Sequence, residues 1–222
     1  IQSGIAVSSK GDTRVWDAER GAELIRLPGN EVGSWSPDGR RLACIDSETT
    51  TVRVWDAETS KEIFNVALSS NAGEAWSPDG RHFATSSLDR GANLQLWDAA
   101  ATEPRLLQSL TWQSQDPRAQ HFTAGVTWSP DGRCLALGCS DQAVRVWDAA
   151  TAKVMLTLPA RPGEIGEVRW SPDGRCLAIV SYVRTDKRTE IMVWAIEEKM
   201  TRAGRSPASG TSRKPVPRAK GY

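Results

Sequence analysis

Short stretches in which apolar and polar residues alternate recur along the chain, and clusters of Gly, Pro and Asp separate them. One set of four such stretches runs through Glu31–Trp35, Arg41–Ile45, Thr51–Trp55 and Glu62–Leu68. Alternation of this kind is typical of half-buried strands, and the clusters between them are typical of turns. We name the four strands a, b, c and d in chain order. Because helical periodicity is nowhere convincing, the pattern predicts an all-β protein.

Two tryptophan motifs alternate along the chain and define a repeat. The motif WSPDGR ends strand a and begins at Trp35, Trp76, Trp128 and Trp170. The motif RVWDA ends strand c, and its copies and relatives QLWDA and MVWAI occupy residues 14–18, 53–57, 95–99, 145–149 and 192–196. The strand-c tryptophans are Trp16, Trp55, Trp97, Trp147 and Trp194. Their spacing of forty-odd residues is that of a four-stranded propeller blade.

The constant Ser-Pro-Asp-Gly segment predicts a turn between strands a and b. Proline presets the first central dihedral of a type I turn, aspartate suits the next position, and glycine takes the left-handed position that follows. Four repeated turns are ordinary geometry, whereas four repeated catalytic acids in one chain would be unusual chemistry. We therefore assign a structural role to Pro37, Asp38, Gly39, Pro78, Asp79, Gly80, Pro130, Asp131, Gly132, Pro172, Asp173 and Gly174.

The ordered alternation of WSPDG and VWD over residues 1–196 resembles the WD-repeat (WD40) β-propeller family. The resemblance implies blades of four antiparallel strands around a central channel, and a scaffold that binds proteins, usually without catalysis. The family often has a buried tetrad that includes a Gly-His pair and an Asp six residues before the strand-c Trp. Here no Gly-His occurs and only Asp141 has that spacing, so we expect the tetrads to be mostly absent. The nearest competing assignment is a propeller similar to the translocation protein TolB, against which the Trp-Asp motif argues.

Blade counting predicts an incomplete propeller. The repeat units cover about 1–27 (strands b, c and d), 28–68, 69–110, 121–158 and 163–196, the last with a doubtful strand d. About four and a half blades are fewer than the seven that are common, so we expect a fragment or an open arc. The apolar faces of its end blades would need missing blades, an attached domain, a partner or a second copy. Residues 197–222, rich in Pro, Gly, Ser and basic residues, are expected to form a disordered tail.

The loops that vary between repeats predict the partner-binding end. Turns a–b and c–d share one end of a meander and are nearly constant, while loops b–c and d–a share the other end. This second end carries an insertion over about 110–120 and a long loop over 183–189. Since binding residues concentrate on variable loops, we assign a partner site to Trp112, Gln113, Asp116, Arg118, Arg184, Asp186, Lys187 and Arg188. Trp112 has an alternative, purely structural interpretation in which it folds back over the sheet edge.

The chemistry-bearing residues give little support to an enzyme. Nucleotide-binding, metalloprotease and serine-hydrolase motifs are absent from the sequence, and the four cysteines form no CxxC pair. We therefore expect no catalytic residue, cofactor or metal, and buried free thiols favour a reducing, cytoplasmic location. A net charge of +1 suggests neither specific nucleic-acid binding nor membrane binding. The residues to check for a channel active site are Glu31, Glu74, Glu164 and Glu167.

These observations favour a non-catalytic scaffold for protein or peptide binding. The chain could be the regulatory or sensor region of a larger signalling protein, an expectation that rests on fold-level analogy. The alternatives are a propeller enzyme with a site in the central channel and a small-molecule binding module of TolB-like or related type.

Overall fold

The computed structural model describes residues 4–9, 12–28, 31–46, 48–68, 73–87, 92–100, 104–112, 125–139, 141–159, 164–183 and 188–196. These residues form strands joined by turns, as the alternating pattern predicts. The strands are β1 Gly4–Ser9, β2 Asp12–Asp17, β3 Glu23–Pro28, β4 Glu31–Trp35, β5 Arg41–Asp46, β6 Thr51–Asp56, β7 Glu62–Ala67, β8 Gly73–Trp76, β9 His82–Ser87, β10 Ala92–Asp98, β11 Arg105–Trp112, β12 Thr127–Trp128, β13 Cys134–Cys139, β14 Ala143–Asp148, β15 Val154–Pro159, β16 Glu164–Trp170, β17 Cys176–Val183 and β18 Arg188–Ala195.

The strands form five antiparallel sheets in chain order, each a simple meander. The first sheet is β1–β3, the second β4–β7, the third β8–β11, the fourth β12–β15 and the fifth β16–β18. The three middle sheets contain strands a to d, whereas the first sheet begins at strand b and the fifth ends at strand c. Strand a of each sheet contacts strand a of the next, from β4 to β8, β12 and β16. The sheets therefore follow one another as blades do, with strand a innermost.

The core consists of four apolar clusters, one between each pair of successive sheets. In the fourth sheet Val144 and Val146 pack against the fifth sheet, where Leu177 and Ile179 meet them. The alternate residues of the fourth sheet, such as Leu135, pack against the third sheet. The period of two along a strand thus sends neighbouring residues to opposite blades, and this explains why both faces of the central strands are apolar.

The Ser-Pro-Asp-Gly corner is held by its own serine. Ser77 Oγ donates a hydrogen bond to Asp79 Oδ1 at 2.5 Å and accepts one from the backbone N–H of His82 at 2.9 Å. Gly80 has a φ of +68°, the left-handed conformation that favours glycine. A Cβ at Gly80 would lie 3.7 Å from Pro37 Cδ, so the corners of successive sheets stack against each other. The same serine–aspartate bond recurs at Ser36, Ser129 and Ser171.

The c–d turn is capped by the aspartate of the Trp-Asp motif. Asp148 Oδ1 accepts hydrogen bonds from the backbone N–H groups of Ala150 and Thr151 at 3.1 and 2.7 Å. The turn ends on Ala152, whose φ is +60°, and the equivalent residue of the first sheet is Gly21. A left-handed conformation costs a residue with a Cβ about 1 kcal/mol, so the turn of the fourth sheet is mildly strained.

Replacing Ala152 by glycine is therefore expected to raise the free energy of unfolding by about 0.5–1 kcal/mol, because glycine adopts a positive φ without strain. Urea unfolding followed by tryptophan fluorescence measures the change. Ala150→Gly is the matched control in the same turn: Ala150 is not among the residues with positive φ, so this change should lower stability slightly. If the two substitutions change the free energy of unfolding equally, the backbone at Ala152 is not strained.

Candidate interaction site

The predicted partner site falls largely outside the described residues. Gln113, Asp116, Arg118, Arg184, Asp186 and Lys187 all lie there. Trp112 is the last residue of β11, and its backbone pairs with Ala92 at the start of β10. Arg188 begins β18 opposite Val183. The backbone thus places Trp112 and Arg188 at the b–c and d–a ends of their sheets, and their role in binding stays a prediction.

Arg188 is the member of this set whose side chain the structure describes. Its guanidinium Nη2 lies 2.6 Å from Glu190 Oε1, and the Arg188 side chain is exposed whereas that of Glu190 is largely buried. The pair with the largely buried Glu190 therefore holds the exposed Arg188 guanidinium in place at the start of β18.

Two of the WSPDGR tryptophans, Trp76 and Trp128, join the innermost strands of successive sheets. Trp76 Nε1–H donates to the carbonyl oxygen of Ser34 at 3.2 Å, and Trp128 Nε1–H donates to that of Ala75 at the same distance. Each acceptor stands directly before the tryptophan of the preceding sheet. The guanidinium of Arg41 lies 5.3 Å from the centre of the Trp76 ring, a cation–π contact. These tryptophans are therefore fixed between sheets rather than available to a ligand.

Glu74 lies between the innermost strands β4 and β8. Its Oε2 accepts a hydrogen bond of 2.5 Å from Ser34 Oγ, and its Oε1 occupies the space that a Cβ on Gly33 would need. Burial raises the pKa of Glu74 to about 7, although the Ser34 hydrogen bond acts in the opposite direction. The buried carboxyl therefore titrates near neutral pH. Sequence reasoning singled out Glu74 but missed Ser34, which is 40 residues away in the chain.

Two of the other strand-a glutamates, Glu164 and Glu167, are arranged differently from Glu74. Glu167 is exposed and pairs with Arg169 at 2.7 Å. Glu164 is half-buried at the start of β16, and the side chain of Glu31 lies outside the description. Across the described part of the chain, no three His, Cys, Asp or Glu side chains form a group that could hold a metal ion. Nor does any helix there have the length and apolarity needed to cross a bilayer.

The partner of Asp141 does not belong to the buried tetrad that the WD40 resemblance implies. Its carboxylate binds both terminal nitrogens of Arg145, with Nη1 at 2.8 Å from Oδ1 and Nη2 in contact with Oδ2. The Arg145 side chain is only 5% exposed. Burial raises the pKa of Asp141, but the hydrogen bonds and charge of Arg145 outweigh this effect and hold it below its usual value. This position therefore holds an arginine–aspartate ion pair. Its signal in the sequence is an aspartate four residues before an arginine.

Trp97 of strand c keeps part of the buried hydrogen-bonded tetrad that the WD40 resemblance implies. Trp97 Nε1–H donates to Thr85 Oγ1 at 3.1 Å on the neighbouring strand b. The indole N–H groups of Trp55 and Trp194 are buried, and neither finds a hydrogen-bond partner among the described residues. Apolar packing therefore holds the c strands in place more than a polar network does.

A succession of four-stranded meanders, packed face to face with strand a innermost, defines the class of β-propellers. Comparison with known proteins gives the same class. The WD domain, G-beta repeat family matches residues 26–56 and 62–98, and the WD40 domain of anaphase-promoting complex subunit 4 matches residues 102–171. Together these matches cover more than half of the chain. The chain belongs to the WD40-repeat family.

Individual relatives match parts of the chain. The U5 small nuclear ribonucleoprotein 40 kDa protein of Mus musculus is 45% identical over 42 residues, which is 19% of this chain and 12% of that protein. Anaphase-promoting complex subunit cdc20 of Dictyostelium discoideum is 26% identical over 114 residues, which is 51% of this chain and 21% of that protein. The chain therefore spans only a minor part of these relatives.

A solved structure shows the same fold. The β-propeller domain of Cps50 (Swd1) from Myceliophteria thermophila matches with a TM-score of 0.73 at 19% identity. The match covers 92% of this chain and 65% of that domain. The all-β propeller prediction is confirmed, and the solved domain is longer than this chain.

Proposed function

We propose that this chain is a non-catalytic scaffold that binds a protein or peptide partner. The observation that carries the proposal is the structural role of the polar residues that recur in each repeat of the chain. The motif serines and aspartates make hydrogen bonds that hold turns, and some motif tryptophans join sheets, as Ser77, Asp148 and Trp128 illustrate. These contacts give the repeated residues a structural role. The repeat therefore supports a rigid frame whose variable loops are available for binding.

The named relatives support a role in an assembly. The two matching proteins are, by their names, a component of the U5 small nuclear ribonucleoprotein and a subunit of the anaphase-promoting complex. Members of the WD40 family generally serve as interaction scaffolds. Because the chain spans 12% and 21% of these two proteins, their partners are not transferred to it. We infer the binding of proteins, without nucleic acid or membrane as the specific ligand.

The proposed binding surface is the end of the sheets at which loops b–c and d–a lie. We assign to it Trp112, Arg188 and the intervening loop residues named from the sequence. Tryptophan and arginine are the residue types enriched at interface hot spots, and both stand there next to strand ends that the sheet holds in place. We further propose that the chain is the regulatory or sensor region of a larger, cytoplasmic signalling protein.

The experiment that tests the scaffold compares two variants in affinity capture followed by mass spectrometry. In the first, residues 113–120 are replaced by a Gly/Ser linker of equal length, which leaves β11 intact. In the second, Glu19→Ala and Glu58→Ala change exposed residues of the c–d turns at the opposite end. We expect the first variant to lose proteins that the unchanged chain captures, and the second to keep them.

The loop assignment fails if both variants capture the same proteins as the unchanged chain. The scaffold proposal itself fails if the unchanged chain captures nothing beyond a bead control under conditions in which circular dichroism shows it to be folded.

A further inference from the structure

Each Ser-Pro-Asp-Gly corner contains an Asp-Gly pair, a dipeptide that rearranges readily in an unfolded chain. The pairs begin at Asp38, Asp79, Asp131 and Asp173. In the rearrangement, the backbone nitrogen of the glycine attacks the side-chain carboxyl carbon of the aspartate, and glycine has no side chain to hinder the approach. The new carbon–nitrogen bond closes a succinimide ring and a water molecule leaves. Hydrolysis then returns the water and opens the ring to isoaspartate, in which the backbone runs through the side-chain carboxyl.

The folded corner holds the attacking nitrogen away from this reaction. Gly80 N–H donates a hydrogen bond to the carbonyl oxygen of Ser77 at 2.9 Å, and the φ of Gly80 is +68°. For the nitrogen to approach the carboxyl carbon of Asp79, this hydrogen bond has to break. The same bond recurs in the other corners, where the acceptors are Ser36, Ser129 and Ser171.

The carboxyl group under attack is held as well. Asp79 Oδ1 accepts hydrogen bonds from Ser77 Oγ at 2.5 Å and from the backbone N–H of Arg81 at 3.0 Å. Rotation of the carboxyl towards the nitrogen of Gly80 therefore requires that these bonds open. Burial raises the pKa of Asp79, but the hydrogen bonds from Ser77 and Arg81 outweigh this effect and lower the pKa. The group thus stays a carboxylate, which a nucleophile attacks less readily than the protonated acid.

The serine of the corner holds both reacting groups at once. The carbonyl oxygen of Ser77 accepts from Gly80, and its hydroxyl donates to Asp79. Ser77 is only 1% exposed, so water has little access to replace its hydroxyl as the donor. Ser36 and Ser129 make the same bonds in their own corners and are 3% and 1% exposed. The hydroxyl is therefore placed to do more than shape the turn.

We propose that the four Asp-Gly pairs are latent isoaspartate sites and that the serine hydroxyl of each corner keeps its own site closed. Opening of a single corner, which is a smaller event than unfolding of the chain, exposes one pair to the reaction. Isoaspartate adds a methylene group to the backbone between the aspartate and the glycine. The glycine then loses the spacing that places it against the preceding corner, as Gly80 lies against Pro37. The modification therefore turns a transient opening into a lasting one.

Tandem mass spectrometry measures the reaction at each corner separately, because the arginine after each glycine places every pair in its own tryptic peptide. Electron-transfer fragmentation distinguishes isoaspartate from aspartate, which has the same mass. The unchanged chain is incubated at neutral pH with and without guanidinium chloride. We expect isoaspartate to form at least about tenfold more slowly in the folded chain, because a corner has to open first. Equal rates with and without the denaturant would overturn the proposal.

Ser77→Ala tests the role of the hydroxyl within the folded chain. The rate of isoaspartate formation at Asp79 should rise about tenfold, the factor that corresponds to the loss of one hydrogen bond to a charged group. Asp38 and Asp131 are controls in the same molecule and should keep their rates. In Ser129→Ala the increase should move to Asp131.

Two results of the serine substitutions would overturn the role of the hydroxyl. One is an unchanged rate at Asp79 in Ser77→Ala, which would show that the backbone bonds of the corner protect the pair without the hydroxyl. The other is an increase of the same size at Asp38, Asp79 and Asp131 in that variant, since general unfolding would then explain it.

Discussion

The Glu74→Gln variant is expected to be more stable than the unchanged protein at pH 8 and about equally stable at about pH 4, below the unfolded pKa. Burial raises the pKa of Glu74 to about 7 from an ordinary 4.5, so the folded protein holds this proton more tightly than the unfolded chain does. The contribution of Glu74 to stability is then highest at acid pH. It falls as pH rises from about 4.5 to about 7, and above that range the folded state carries the full cost of the buried charge.

The size of the effect follows from the difference between the two pKa values. At about 1.4 kcal/mol per unit, the buried charge costs up to about 3 kcal/mol, somewhat less because Glu74 is only half-buried as a residue. Glutamine has nearly the same shape, and its amide oxygen can accept the Ser34 hydrogen bond. The substitution therefore removes the charge and leaves the packing against Gly33 in place.

Urea unfolding at a series of pH values measures this difference, with Glu167→Gln as the control. Glu167 also lies on a strand a but is exposed and paired with Arg169, so its substitution should not reproduce the gain in stability at pH 8. If Glu74→Gln and the unchanged protein lose stability in parallel as pH rises, the carboxyl is not the group that titrates. Comparison of the two variants distinguishes the effect of burying a carboxyl from the effect of its location on strand a.

The parts of the fold that the sequence predicts are those whose contacts are local. The Ser36 and Asp38 hydrogen bond joins residues two apart, and the cap at Asp56 joins residues two and three apart. Repetition adds information, because four copies of one corner imply four equivalent sheets. A short motif therefore predicts both a turn and its place in the blade.

The contacts that the sequence does not predict join different repeats. The Ser34–Glu74 bond and the Trp128–Ala75 bond join residues 40 and 53 positions apart. Their existence depends on which strands lie innermost and on how the sheets are rotated against each other. The partner site stays a prediction, since its residues belong to loops that differ in every repeat and carry no shared pattern.

The buried Asp141–Arg145 pair shows how one departure from a family pattern can change the energetics of a blade. In the second sheet Arg53 is the counterpart of Arg145, since both stand two residues before the strand-c tryptophan. Arg53 is 31% exposed and lies 3.9 Å from Asp46, whereas Arg145 is 5% exposed. The arginine at the same position is thus partly exposed to solvent in one blade and buried in another.

Asp141→Asn is expected to lower the free energy of unfolding by about 2–3 kcal/mol, because it leaves the Arg145 guanidinium buried without a counter-charge. Asparagine keeps the shape and turn preference of aspartate, so the loss reports the charge. The pKa of Asp141 is lowered in the folded protein, so the ion pair stabilises the unchanged protein at neutral pH. This stabilisation is lost only as pH falls below the ordinary pKa of an aspartate. Urea unfolding at neutral pH measures the difference.

Asp46→Asn is the matched control, with an expected loss below about 1 kcal/mol, because Arg53 is 31% exposed and keeps a second carboxylate, that of Glu62, at 4.0 Å. A second arm removes both members of the buried pair in D141N/R145M. This variant should recover most of the stability lost in Asp141→Asn, since no uncompensated charge then remains in the sheet. If the double variant is less stable than Asp141→Asn, the guanidinium contributes through its packing and its contact with Cys139 rather than through its charge pair.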